Sequence, residues 1–294
     1  MAWLQLTLEA THSNSEQLSD LLSQAGAASV TLQDAHDDPI FEPPPGSTPL
    51  WKELLLTGLF AADIQIESVL NFIKSNYGEL PPYTLNPLED KDWVRAWMDD
   101  FKPMQFGQRV WICPSWHTPP DPDAVNIMLD PGLAFGTGTH PTTSLCLQWL
   151  DQNFQTPVDV IDYGCGSGIL GIAADLLGAT QVYAVDLDPQ ALMATQANAE
   201  KNHVVERLET FSVPEFKRQF QTLQCPLLLA NILAGPLVDL SEMLASHVAP
   251  NGKIVLSGIL AEQAEKVSLA YQQWFTIDEV TQEGDWVRIV GTKL

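Results

Sequence analysis

An apolar strand that stops at an acid and runs into alternating glycines limits this chain to a few architectures: Val160-Ile161-Asp162-Tyr163-Gly164-Cys165-Gly166-Ser167-Gly168-Ile169-Leu170. Glycine permits the sharp backbone turn and the close approach of a ligand. In an open α/β sheet such a turn lies at the carboxyl ends of the strands, where ligands bind. Dinucleotide folds place G-x-G-x-x-G at the same point, so a glycine loop alone does not choose the ligand. Here the spacing is G-x-G-x-G and Asp162 precedes it. A dinucleotide brings a pyrophosphate, whereas S-adenosylmethionine brings a cationic sulfonium and an α-ammonium. Asp162 is an electrostatic complement to that cation, and Gly164 and Gly166 are where backbone would meet it. The loop points to a methyl-donor site.

Three further stretches belong with it. Tyr183-Ala184-Val185-Asp186-Leu187-Asp188-Pro189 ends the next strand about 20 residues on, and a carboxylate there accepts both ribose hydroxyls. Asp186 closes the strand and is the ribose candidate; Asp188, just before Pro189, is expected to cap the following helix. Leu229-Ala230-Asn231-Ile232-Leu233-Ala234 ends a later strand at an amide suited to orienting an attacking amine. The stretch from Asp130 to Thr143, with three glycines, Phe135 and several hydroxyls, is expected to form a flap over the cofactor. His140 within it is assigned a structural role, not that of a general base.

The surrounding pattern has two parts. Residues 1–90 alternate and cap as β-α-β-β-α-β, a small ferredoxin-like α+β module. In it Ser13 and Glu16 form an expected capping box and Leu18, Leu21, Leu22 and Ala25 one helix face. Residues 91–108 are expected to be a linker, with Trp93, Trp97 and Phe101 on one helical stripe. Residues 109–294 alternate strand and helix, beginning with strands at 109–115 and 126–129 and closing with a hairpin about Gln282-Glu283-Gly284-Asp285. The fold class expected is α/β, a Rossmann-like class I methyltransferase domain behind the small module.

Charge narrows the partners. Against 37 acidic side chains stand 14 basic ones, a formal net charge of -23, the reverse of a phosphate-tracking protein. No direct nucleic-acid binding is expected, and an acidic field favours encounter with a basic partner. Cys113, Cys146, Cys165 and Cys225 lack zinc or disulfide spacing, so no metal is expected and free thiols suit a reducing compartment. Without a long apolar run or a signal segment, the expectation is a cytoplasmic protein with no membrane contact, and a monomer.

Asp130-Pro131-Gly132-Leu133-Ala134-Phe135-Gly136-Thr137-Gly138-Thr139-His140-Pro141-Thr142-Thr143 closely resembles the ribosomal protein L11 methyltransferases. Asp162–Gly168, Asn231-Ile232-Leu233-Ala234, the small module and the Trp-rich linker extend the likeness over essentially the whole chain. The resemblance implies that the small domain recognises a basic ribosomal protein and the large one trimethylates its lysine and N-terminal amines. It also implies cofactor contacts at Thr143, Gly164, Asp186 and Asn231. Open alternatives are a methyltransferase for another protein or a small-molecule amine, a non-catalytic S-adenosylmethionine-binding module, and an NAD-linked oxidoreductase.

Overall fold

Alternation in β1 (Trp3–Thr11) buries Leu6, Leu8 and Ala10 while Glu9 and Thr11 stay in solvent, the two-residue period of a strand covered on one face. The computed structural model describes residues 3–36, 49–88, 101–130, 136 and 138–294. The chain divides into two units, Met1–Trp97 and Met98–Leu294. In the first, β2 (Ser29–Asp34), β3 (Glu53–Ala61) and β4 (Tyr83–Leu88) join β1 in an antiparallel sheet of order β2-β3-β1-β4. Helices α1 (Ser15–Gln24) and α2 (Ile66–Tyr77) press Leu18, Leu21, Leu22, Val69, Leu70 and Ile73 onto Leu6, Leu8, Leu54, Leu56 and Phe60. Each such side chain contributes about 1.5–3 kcal/mol by leaving water. This is the expected split β-α-β order.

The capping box does not form. The Ser13 hydroxyl pairs with the Thr11 hydroxyl at 2.9 Å, and Asn14 takes the N-cap position instead. Asn14 is fixed there by the Thr11 N–H, which donates to its Oδ1 at 2.7 Å, and by its own amide, which donates to the Tyr77 hydroxyl at 2.8 Å.

The second unit is built on a seven-stranded sheet of order β10-β9-β8-β11-β12-β14-β13. Its strands are β8 (Val160–Tyr163), β9 (Val182–Asp186), β10 (Leu208–Ser212), β11 (Cys225–Asn231), β12 (Val248–Leu260), β13 (Phe275–Glu283) and β14 (Trp286–Lys293). The pairs from β10 to β12 are parallel, and β14 runs antiparallel to both neighbours, as the hairpin required. Strand order reverses beside β8, which opens a crevice at the carboxyl ends of β8 and β11.

Both faces are covered, so the central strands are largely apolar, Asp162 in β8 and Asn231 at the end of β11 being the exceptions in those two. Val160, Leu227 and Leu229 enter one core with α3 (Pro141–Asn153) and α4 (Ile169–Leu176). Ile161, Tyr163, Leu228 and Ala230 enter the other, with Phe216, Leu237 and Tyr271. All four cysteines are buried, and burial pushes the thiols of Cys146 and Cys225 up to about 12.

The strands expected at 109–115 and 126–129 do not enter the main sheet. β6 (Val110–Cys113) pairs parallel with β7 (Val125–Met128) and antiparallel with β5 (Met104–Phe106), making a separate three-stranded sheet. The Asn202 side chain accepts from Met128 N–H at 2.7 Å and donates to its carbonyl at 2.9 Å, docking β7 against the end of α5 (Pro189–Lys201). Val110, Ile112 and Ile127 thereby cover the α3–α4 core. β5 falls within the stretch read as linker, 91–108; Trp93 and Trp97 lie outside the described residues, as do 131–135 and 137 of the expected flap.

Candidate functional site

β8, β9 and β11 end side by side, and the residues that follow each end form the site. Gly164 leaves β8 with φ +78, and its N–H donates to Val185 O at 2.7 Å. A Cβ there would collide with the Ile232 side chain, so this turn requires glycine. At the end of β9 the Asp186 carboxylate accepts from Gly166 N–H and from Asp188 N–H, both at 2.9 Å. It therefore ties the glycine loop to the next turn, and each oxygen keeps a second lone-pair direction for a ligand hydroxyl. Asp188 accepts from Gln190 N–H at 2.8 Å with Pro189 at the first helical position, so it is the N-cap of α5, as read from the sequence.

Asp162 is not where the cofactor cation would need it. Val160 and Asp162 share a face of β8, and that face is the core: the carboxyl is 1% exposed and accepts from Gly171 N–H in α4 at 2.8 Å. Burial pushes its pKa from 3.8 up to about 7, against the Gly171 hydrogen bond and with help from the Asp186 charge. An acid whose pKa is higher folded than unfolded binds more protons in the folded state between the two values. Stability is accordingly expected to fall by several kcal/mol as pH rises from about 4 to about 7, and to level above that. Asp162→Asn should flatten this slope; urea midpoints at pH 5 and pH 8 that still differ as in the parent protein would contradict it.

A cavity of about 540 Å³ occupies the crevice. On the β9 side it is lined by Asp186, Leu187, Val213 and Lys217, in the middle by Tyr163 and Gly164, and on the other by residues of β11, β12 and β14. That second side presents Asn231, Ile232, Leu233, Pro236, Leu240 and Trp286. Asn231 Nδ2 donates to Thr143 Oγ1 at 3.4 Å, which sets the fully buried Thr143 behind the amide and not on the cavity wall. Asn231 Oδ1 is buried and finds no partner among the described residues. An acceptor of that kind is costly without a ligand to meet it.

His140 also borders the cavity, where its ring caps α3. Nδ1 lies 2.8 Å from Thr142 Oγ1 and accepts from Thr142 N–H at 3.4 Å, and the ring meets Trp286 edge-on at 4.8 Å. Burial lowers its pKa, and a helix N-terminus further disfavours positive charge, so the imidazole stays neutral. Of the expected flap, Gly136 O accepts from the Ser167 hydroxyl at 2.6 Å, joining that segment to the glycine loop.

Asp186, Gly164 and Asn231 are thus brought to one cavity, with Gly166 and Thr143 directly behind two of them. Tyr163, Lys217 and Trp286 escaped the sequence reading. Trp286 follows the recognised hairpin turn, but only the β12–β14 register, Leu260 opposite Trp286, carries it to the end of β11.

Comparisons with known proteins give the family. The family model described as ribosomal protein L11 methyltransferase (PrmA) matches residues 2–294. The ribosomal protein L11 methyltransferase of Marinomonas sp. (strain MWYL1) is 51% identical over 298 residues, covering 100% of this chain and 99% of its own. That of Actinobacillus pleuropneumoniae serotype 5b (strain L20) is 52% identical over 295 residues, covering 100% of both chains. The crystal structure of a ribosomal protein L11 methylase from Lactobacillus delbrueckii subsp. bulgaricus aligns with TM-score 0.60 and 33% identity, over 66% of this chain and 99% of that one. The residues at the strand ends suit S-adenosylmethionine, the methyl donor of this enzyme class: a carboxylate closing β9, a glycine turn and an orphaned acceptor. With the family model spanning the chain end to end, the protein is a methyltransferase of the ribosomal protein L11 methyltransferase family.

Proposed function

We propose that this enzyme methylates amines of ribosomal protein L11, both lysine side chains and the α-amine, carrying them to the trimethylated state. The observation that carries the reading is Asn231, which lines the apolar cavity at the strand ends and whose Oδ1 is buried without a partner among the described residues. It accepts an N–H of the incoming amine and leaves the nitrogen lone pair aimed along the crevice. Thr143 Oγ1 holds the other end of the amide. Asp186 would receive the ribose hydroxyls, and the backbone at Gly164 and Gly166 would lie against the donor. When bound, S-adenosylmethionine supplies an electrophilic methyl carbon: the amine lone pair forms the N–C bond, the S–C pair returns to sulfur, and the proton lost from nitrogen passes to water.

The apolar walls disfavour the charged form of an entering lysine and lower its pKa, so more of it arrives neutral. His140 contributes position and not basicity, since its Nδ1 is engaged at the helix cap. The net charge of -23 supports a basic protein as partner, without direct nucleic-acid contact. The four buried free thiols suit a reducing cytoplasm, where we take the protein to act as a monomer. No helix among the described residues is long and apolar enough to cross a membrane. Incubation with labelled S-adenosylmethionine and under-methylated ribosomal proteins, followed by mass mapping, should place label on L11 amines. Absence of label from every ribosomal protein would overturn the proposal.

A further inference from the structure

Given lysine as the substrate, we infer that Trp286 is the wall that receives the methylated ammonium and so sets how many methyl groups one amine acquires. The placement comes from the sheet. Asn231 lies opposite Ser257 on β12, and Trp286 lies opposite Leu260 on the other side of the same strand. Between them β12 slips register from Leu256 to Ile259, with Gly258 at φ +83 packed on the backbone of Ile232. Such bulges bend a strand and re-aim its neighbours. Trp286 and Asn231 consequently line one cavity from two strand ends.

The chemistry at this end is unequal for the successive products. An unmethylated ammonium has three N–H donors and needs as many acceptors. Among the described residues, the side-chain acceptors at this end are the buried Asn231 Oδ1 and the facing pair Thr142 Oγ1 and His140 Nδ1, with Tyr163 in the middle of the cavity, while Ile232, Leu233, Pro236 and Leu240 are apolar. Each round replaces one N–H by N–CH3, its proton going to water. The demand for acceptors falls as the apolar surface of the cation grows, and a trimethylammonium asks for none. An aromatic face attracts that weakly hydrated cation. His140 is kept neutral by burial and by its place at the helix N-terminus, so it adds no opposing charge beside the indole. Among the described residues, the charged groups of the cavity, Asp186 and Lys217, stand on the far, β9 side. The site holds its product better with every methyl gained, and the amine is retained until no further transfer is possible.

The test separates binding from turnover. The full chain, filled with S-adenosylhomocysteine, is titrated calorimetrically with a blocked single-lysine peptide in its unmodified and its trimethylated form. The parent protein should bind the trimethylated peptide about threefold to thirtyfold more tightly. Trp286→Leu should erase that preference and Trp286→Phe should keep most of it, with S-adenosylhomocysteine affinity reporting that each variant is folded. Leu233→Asn, at a half-exposed position on the cavity rim, adds an acceptor and should shift the preference toward the unmodified peptide. In parallel, mass spectra of methylated L11 should move from trimethyl toward mono- and dimethyl species in Trp286→Leu and Leu233→Asn. Equal affinities for the two peptides in the parent, or a preference unchanged in both variants, would overturn the inference. A parent protein that labels no ribosomal protein would instead overturn the substrate assignment beneath it.

Discussion

Replacing Asp186 by Ala is expected to raise the dissociation constant for S-adenosylmethionine by at least about 100-fold. The carboxylate has two duties, and both are lost together. It holds the Gly166 and Asp188 N–H groups, and so the shape of the glycine loop. In the proposed complex it would also supply the negative acceptor for two ribose hydroxyls. Hydrogen bonds to a charged group contribute about 1.5–3 kcal/mol each, and two such bonds account for a factor of about 100 or more. Asp186→Asn should fall between, since its one remaining oxygen can serve the loop or the ribose but not both fully. Calorimetry gives the answer directly, and an Ala variant that binds the donor normally would remove Asp186 from the ribose role.

Asn231→Ala should leave a folded enzyme whose kcat is lower by about 100-fold, the usual consequence of losing the group that aligns a nucleophile. Asn231→Asp is the more informative partner. A carboxylate can still accept the amine N–H, but its charge favours the ammonium form and raises the lysine pKa. At neutral pH both variants should be slow. As pH rises, the Asp variant should recover toward the parent rate while the Ala variant stays low. Parallel pH–rate profiles for the two would show that the amide does not touch the amine.

What could be read in the sequence was what is local to the chain. The glycine turn, the acid closing β9 and the Asp188-Pro189 helix start depend on neighbours within a few residues, and the structure places them as expected. Asp162 went astray because strand alternation outweighed its position at a strand end. It shares a face with Val160, and that face lies under α4. Trp286 and Tyr163 reach the cavity through sheet register and strand order, Leu260 pairing with Trp286 and Val160 with Leu227, which no local pattern announces. That β5, β6 and β7 form a sheet of their own was not legible for a related reason. Short strands advertise their apolar residues but not which sheet will take them, and here the Asn202 side chain, 74 residues downstream of Met128, makes that choice.

The four buried cysteines bear on how the enzyme can be handled and watched. All of them sit in the methyltransferase unit, where their thiols are shielded and pushed away from the reactive thiolate form. An alkylating reagent meets them when that unit opens and not while it is closed. The rate of their modification is therefore a clock for opening, and a bound donor that stabilises the unit should slow it. Oxidants in the surroundings face the same barrier, so the catalytic unit carries its own protection against losing thiols between one substrate and the next.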